Sequence, residues 1–204
     1  MKNKNSVELI DYMGSDRLHG LAAWSSTFLE FGVDMPDDPQ LRVDELVNHI
    51  LNNGKKKRSL EDLIGYLAEH SHNSPFRFSS FVFGMTTDIS THIQKLKHKV
   101  LLEAENGESA RYKELTADNF YLPEDWNVPA VNFSTDDVSY TMEKTWNEIL
   151  TKYTEVGNQL YHEAIKQLTP VLGKKRTKET ARFFKTYNSQ INTLNKFSFD
   201  GIVQ

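Results

Sequence analysis

Apolar and polar positions along the chain change their period several times, and each change marks an element. Val7-Glu8-Leu9-Ile10-Asp11-Tyr12-Met13 is a short apolar run ended by Gly14-Ser15-Asp16, which reads as a strand and a turn. Ser15 or Asp16 is placed to cap a helix carried by Leu18, Leu21, Ala22, Trp24, Ser25 and Phe28, and Leu41–Leu51 reads as a second amphipathic helix. The polar run Asn52–Arg58 reads as a solvated loop. Ser59, with Asp62 three residues on, caps a third helix through Leu60, Leu63, Ile64 and Leu67, and Pro75 should break it. Phe78–Phe83 then reads as a strand.

From Asp88 to Val100, Ile89, Ile93, Leu96 and Val100 fall at steps of four, three and four, one narrow helical stripe with Gln94 and His98 on the other side. Residues 116–136, with Pro123 and Pro129, read as loop. A long helix is expected from about Asp136 to Leu168, with Val138, Met142, Trp146, Ile149, Leu150, Tyr153, Val156, Leu160 and Ile165 as its apolar positions. A Lys-rich segment, Phe183-Phe184 and a polar stretch to Gln204 follow, with no element assigned. This order predicts an α+β fold, one sheet carrying helices, in a single domain over residues 1–204.

Composition narrows the chemistry. With 38% apolar residues and a mean hydropathy of −0.56, the chain has a large polar surface. No segment approaches the roughly 18 apolar residues of a membrane span, and the opening residues lack a signal-peptide core, so the expected location is cytoplasmic, without membrane contact. The net charge of −4 argues against a nucleic-acid partner. Cysteine is absent, which excludes disulfides, thiolate metal sites and a cysteine nucleophile. Chemistry must therefore use a cofactor, a hydroxyl, a carboxylate or a histidine.

The densest polar constellation is His98-Lys99 followed by Asn106-Gly107-Glu108-Ser109-Ala110-Arg111-Tyr112. Backbone N–H groups, a hydroxyl and a guanidinium in one short turn suit a phosphate monoester. Loops of this composition are also common on surfaces that bind no anion, so the pattern alone leaves both readings open. His70 and His72 bracket Ser71, but no carboxylate stands at ligand spacing, and no metal is expected there.

Read together, His72-Asn73-Ser74-Pro75-Phe76-Arg77, Phe81-Val82-Phe83, Gln94, Lys97-His98-Lys99, Ser109-Ala110-Arg111-Tyr112 and Ala181-Arg182 resemble, in order and largely in spacing, the signatures of the flavin-dependent thymidylate synthases. Ile10–Asp16 and Ala22-Ala23-x-Ser25 resemble that family's opening. The resemblance implies an antiparallel sheet flanked by helices with a long helix in the C-terminal half. It implies FAD as cofactor, NADPH and methylenetetrahydrofolate as co-substrates, and dUMP methylated to dTMP in a homotetramer whose active sites lie between subunits. Carried over by position, Gln94, Ser109, Ala110, Arg111 and Arg182 would bind dUMP. Ser74, Lys97, His98, Lys99 and Asp200 would fall at the FAD site, with His72 near flavin and folate; Ser109, Arg111 and His72 would be closest to the chemistry. The absence of cysteine independently excludes the classical thymidylate synthase, which needs that nucleophile.

The departures are equally specific. Lysines replace both arginines of Arg-His-Arg, which keeps charge but loses the bidentate fork. The segment between Lys99 and Ser109 is longer than the family's, and Glu103-Ala104-Glu105 is expected to loop outward. Arg77 stands where the family has Glu. Asp200 and Ile202 stand where it has Asn-x-Arg, and its last helices would fall after Gln204. Two other readings stay open: a nucleotide-binding homologue without flavin, and a related flavin enzyme acting on another pyrimidine nucleotide.

Overall fold

The computed structural model describes residues 4–25, 36–52, 59–98, 102–109, 111–130, 133–134, 139–140 and 144–202. Several helices begin where the sequence supplies a cap. β1 (Ser6–Met13) ends at Gly14, whose φ of +108° and position against Ser79 exclude a side chain: a Cβ there would lie 1.8 Å from Ser79 Oγ. Ser15 caps α1 (Asp16–Trp24) by accepting from the Leu18 N–H. α2 (Pro39–Asn52) follows, and Ser59 caps α3 (Leu60–Glu69) by accepting from the Asp62 N–H.

Pro75 ends this helical run in a 3-10 turn, Ser74–Phe78, and β2 (Ser80–Asp88) starts after it. The strand therefore begins two residues later than Phe78 and continues to Asp88, through residues too polar to show an apolar alternation. Asp88 caps α4 (Ile89–Lys97), its carboxylate accepting from the Thr91 N–H and hydroxyl; Val100 lies outside the described residues.

Two expectations need correction. Glu103-Ala104-Glu105 does not loop outward but belongs to β3 (Leu102–Gly107), where Glu103 pairs with Lys196 at 3.0 Å. After the short antiparallel pair β4 (Phe133–Ser134) and β5 (Ser139–Tyr140), the long helix α5 spans Trp146–Leu172, not 136–168. Thr145 sets its start through a capping box with Glu148, and Gly173, at φ +77°, sets its end beyond Pro170. The polar C-terminal stretch holds α6 (Lys174–Ala181), β6 (Gln190–Ser198) and α7 (Phe199–Ile202). β6 was illegible because two of the three residues in its inward alternation of Thr193, Asn195 and Phe197 are polar.

The long strands form one antiparallel sheet in the order β1-β2-β6-β3. The chain divides into two compact units: residues 1–8, 84–98 and 106–194 in the first, 9–83, 99–105 and 195–204 in the second. The core of the first is the contact of α5 with α6 and the segment that follows it. There Thr154, Gly157, Asn158 and Tyr161 form the buried stripe of α5. A Cβ at Gly157 would lie 2.5 Å from the Phe184 carbonyl oxygen, so glycine is what permits this approach. The second unit packs α1, α2 and α3 around Trp24, Val47 and Ile50, with Leu21, Val43, Leu60 and Leu63 against them. No helix among the described residues is long and apolar enough to cross a membrane.

Candidate functional site

The residues singled out in the sequence fall in both units. In the first, α4 carries Gln94 and Lys97 exposed, with exposed His98 as its C-terminal cap. Lys97 and His98 form no ion pair among the described residues, and the Lys97 ammonium is a cationic donor of the kind that suits a pyrophosphate. The Ser109 carbonyl accepts from Tyr112 N–H at 3.0 Å and Lys113 N–H at 3.1 Å, which closes a tight turn. Arg111 projects from this turn and is held by Glu179 of α6, Nε to Oε1, at 2.9 Å. Lys178 adds a hydrogen bond to the Tyr112 carbonyl at 3.3 Å. Arg182, exposed, begins the 3-10 segment after α6. Lys99 and Ala110 lie outside the described residues.

Beside this turn the first unit opens a cleft of about 510 Å³ lined by Glu8, Gly84, Thr86, Gly107, Glu108 and Asn192, among others. That volume falls within the ~300–1,000 Å³ usual for small-molecule sites. A smaller cavity of about 130 Å³ shares Thr86, Glu108 and Asn192 with it and reaches Lys113 and Lys185. Thr86 Oγ1 donates to Asn192 Oδ1 at 2.7 Å, and Lys113 Nζ to Glu108 Oε1 at 3.0 Å. Burial pushes the Glu108 carboxyl up, but donors from Lys113 and Asn192 outweigh it and hold the group ionised below its ordinary range.

Sequence reasoning missed the polar group behind the smaller cavity. Lys185 donates to Asp118 and Asn158 at 2.8 Å each and lies 4.7 Å from the centre of the Tyr161 ring. His162 shares Asp118 at 3.0 Å, and Tyr161 Oη accepts from the Leu115 N–H at 2.9 Å. Burial raises the Asp118 carboxyl, and the hydrogen bonds from Lys185 and His162 more than reverse this. Asp118 and His162 stand 44 positions apart, so no local motif could have shown the cluster.

In the second unit, His72 is exposed at the end of a ring series. Tyr66 stacks on His70 with centroids 4.1 Å apart, and His72 lies 6.4 Å from His70. Ser74, exposed, opens the 3-10 turn. Among the described residues neither of these side chains makes a hydrogen bond. Asp200 differs: it is buried, and its Oδ2 accepts from Arg77 Nε at 2.8 Å. Burial pushes its carboxyl up, but hydrogen bonds from Ser198, Arg77 and Gly201 hold it below the usual range. A buried, already paired carboxylate suits no phosphate of a cofactor.

Residues 8–196 match the family described as thymidylate synthase complementing protein. Among curated relatives, the flavin-dependent thymidylate synthase of Thermotoga neapolitana is 30% identical over 121 residues, 59% of this chain and 44% of that protein. The enzyme of the same name from Thermosipho melanesiensis is 41% identical over 64 residues, 31% of this chain and 27% of that one. The chain thus spans less than half the length of these relatives. Among solved structures, the UMP/dUMP methylase PolB from Streptomyces cacaoi bound with 5-Br UMP superimposes with a TM-score of 0.62 at 19% identity, covering 98% of this chain and 75% of that one. With 5-Br dUMP the TM-score is 0.63 at 22% identity, covering 97% and 74%. At these identities the likeness is one of fold.

Proposed function

The chain belongs to the thymidylate synthase complementing protein family, and on that premise we propose that it methylates dUMP to dTMP with FAD as cofactor, methylenetetrahydrofolate as carbon donor and NADPH as reductant. One observation carries the reading. Arg111 stands on the Ser109–Lys113 turn, beside the Glu108 cleft, and is held at Nε by Glu179. The two terminal nitrogens of its guanidinium then remain for a phosphate, while Ser109, Ala110, Gln94 and Arg182 complete the nucleotide contacts.

When bound, the flavin supplies the hydride and the folate the carbon; the protein supplies binding, orientation and charge. Lys97 and Lys99 would hold the cofactor's phosphates as point charges where forked arginines would bind more tightly, with His98 between them as a further hydrogen-bonding group. Ser74 donates to the same cofactor, and His72 orients the ring partners. The site residues are distributed over a homotetramer. The exposed apolar stripe of Tyr153, Val156 and Leu160 on α5 supports assembly, since monomers rarely leave such faces bare.

The test is release of tritium from dUMP labelled at C5, together with dTMP formation, in the presence of FAD, NADPH and methylenetetrahydrofolate. Release that requires all three supports the reading. The engagement of Asp200 by Arg77 favours a second reading, a nucleotide-binding homologue without flavin. Retained dUMP binding with a colourless protein and no tritium release would establish that alternative.

A further inference from the structure

One buried lysine joins the two arginine-bearing segments of the first unit. Lys185 follows Arg182 by three residues, and its backbone N–H donates to the Arg182 carbonyl at 3.0 Å, closing the 3-10 turn on which that arginine stands. The Lys185 side chain is only 4% exposed. Its ammonium donates at 2.8 Å to Asp118, on the loop that runs on from the Arg111 turn, and at 2.8 Å to Asn158 of α5. Tyr161, fully buried on α5, completes the group. Its ring centre lies 4.7 Å from Lys185 Nζ, and its Oη accepts from the Leu115 N–H of the same loop at 2.9 Å. A buried ammonium is stable only with its partners in place, so this one ties the three segments together.

Packing gives the middle of that loop little support. Lys113, Leu115, Thr116, Ala117 and Asn119 all line the cavity of about 130 Å³, and a residue beside a void lacks the dispersion contacts that would seat it there. The loop's two ends have other anchors. At one, Arg111 is held by Glu179 and the Tyr112 carbonyl by Lys178; at the other, the Asn119 carbonyl accepts from the Gln190 N–H at 3.0 Å. Between them, Lys185 to Asp118 is the side-chain bond that reaches the Arg182 turn among the described residues. None of Gln94, Ser109, Arg111 and Arg182 lines the cavity, so the lysine stands behind the nucleotide contacts and not among them.

We propose that Lys185 is a positioning residue of the nucleotide site: it sets the register of the Arg182 turn against the Arg111 loop, so that the two guanidinium groups are presented in a fixed relation. The proposal rests on the reading of this chain as a dUMP methylase and adds to it a residue that touches no ligand.

Calorimetric titration with dUMP, in the presence of FAD, of the wild type, Lys185→Met, Arg182→Ala and the double variant tests it. Methionine keeps an unbranched stem, and His162 stays on Asp118 at 3.0 Å, so no carboxylate is orphaned. Lys185→Met should weaken dUMP binding by roughly tenfold, as the loss of a charged hydrogen bond would. In the Arg182→Ala background it should weaken binding less than about twofold, because the arm it positions is gone. A purely structural lysine would lower the melting temperature and act equally in both backgrounds. Turnover gives a second readout: the KM for dUMP should rise while kcat at saturating dUMP stays unchanged. If Lys185→Met does not fold, Asp118→Asn, which keeps the shape of its side chain, carries the same cycle. Unchanged affinity in the variant, equal weakening in both backgrounds, a fall in kcat at unchanged KM, or wild-type affinity in Arg182→Ala overturns the proposal and leaves the methylase reading standing. A wild type that binds no dUMP sinks that reading, and the proposal with it.

Discussion

Arg77 and Asp200, 123 positions apart, meet at 2.8 Å between Nε and Oδ2. Each is a departure from the pattern of the family the chain resembles, Arg for Glu at one position and Asp for Asn at the other. Taken singly, either looks like a lost contact. Together they form a compensated pair, which explains how a charge reversal at 77 and a new buried carboxylate at 200 coexist.

The pair has a stability consequence. Arg77→Ala should destabilise the protein by about 1–3 kcal/mol, because Asp200 keeps its burial but loses a charged donor. Adding Asp200→Asn should recover part of that loss, since a neutral amide is cheaper to bury. Urea unfolding of the wild type and both variants measures this. Equal stability of all three would show that the pair contributes nothing.

His19 gives a pH dependence. Burial lowers the imidazole below its ordinary value, only partly opposed by Asp16, so the folded protein holds it neutral. The unfolded chain takes up a proton first as pH falls, so stability is lost between the ordinary imidazole value and the lower folded one. Above that window His19 contributes no slope. His19→Gln should flatten this part of the stability–pH profile; an unchanged slope in the variant would show that His19 does not titrate there.

Gly157 makes a sharper packing test. A methyl at this position would meet the Phe184 carbonyl, a backbone atom that cannot swing aside, at 2.5 Å. Gly157→Ala should cost about 1–3 kcal/mol despite alanine's better helix propensity. Gly65, around whose Cβ position nothing lies within 4 Å, is the control. Gly65→Ala should be neutral or stabilising by up to about 1 kcal/mol, and thermal unfolding of the two variants separates propensity from contact.

The contrast between these positions shows what the sequence could disclose. Caps were legible, because Ser15 and Ser59 act on N–H groups three residues away. The start of α5 was not, because the apolar spacing continues upstream of Thr145 and only the capping box ends it. The apolar positions of α5 also misled: Tyr153, Val156 and Leu160 are exposed, while Thr154, Asn158 and Tyr161 are buried. β6 hid because Thr193 and Asn195, two of the three residues in its buried alternation, are polar. Within the site, the Ser109–Arg111 turn was readable as a local motif. The bond that holds it, from Arg111 Nε to Glu179 Oε1, joins residues 68 positions apart and follows only from the fold.

The Glu179–Arg111 contact yields the last prediction, and its sign is informative. Arg111 is half-exposed and its Nε is taken by Glu179, whose carboxylate also lies 3.8 Å from Arg176. If Glu179 braces the guanidinium, Glu179→Gln keeps a hydrogen-bond acceptor of the same shape and should weaken dUMP binding only about threefold. Glu179→Ala, which releases the side chain, should weaken it by roughly tenfold, within the range of a lost charged hydrogen bond. A carboxylate that merely competed with the nucleotide phosphate would give the reverse order, both variants binding more tightly. Calorimetric titration with dUMP at fixed ionic strength decides between them, since screening would blur a purely coulombic effect. Tighter binding in both variants would make Glu179 a competitor for Arg111. Graded weakening would establish α6 as the support that points Arg111 at its phosphate.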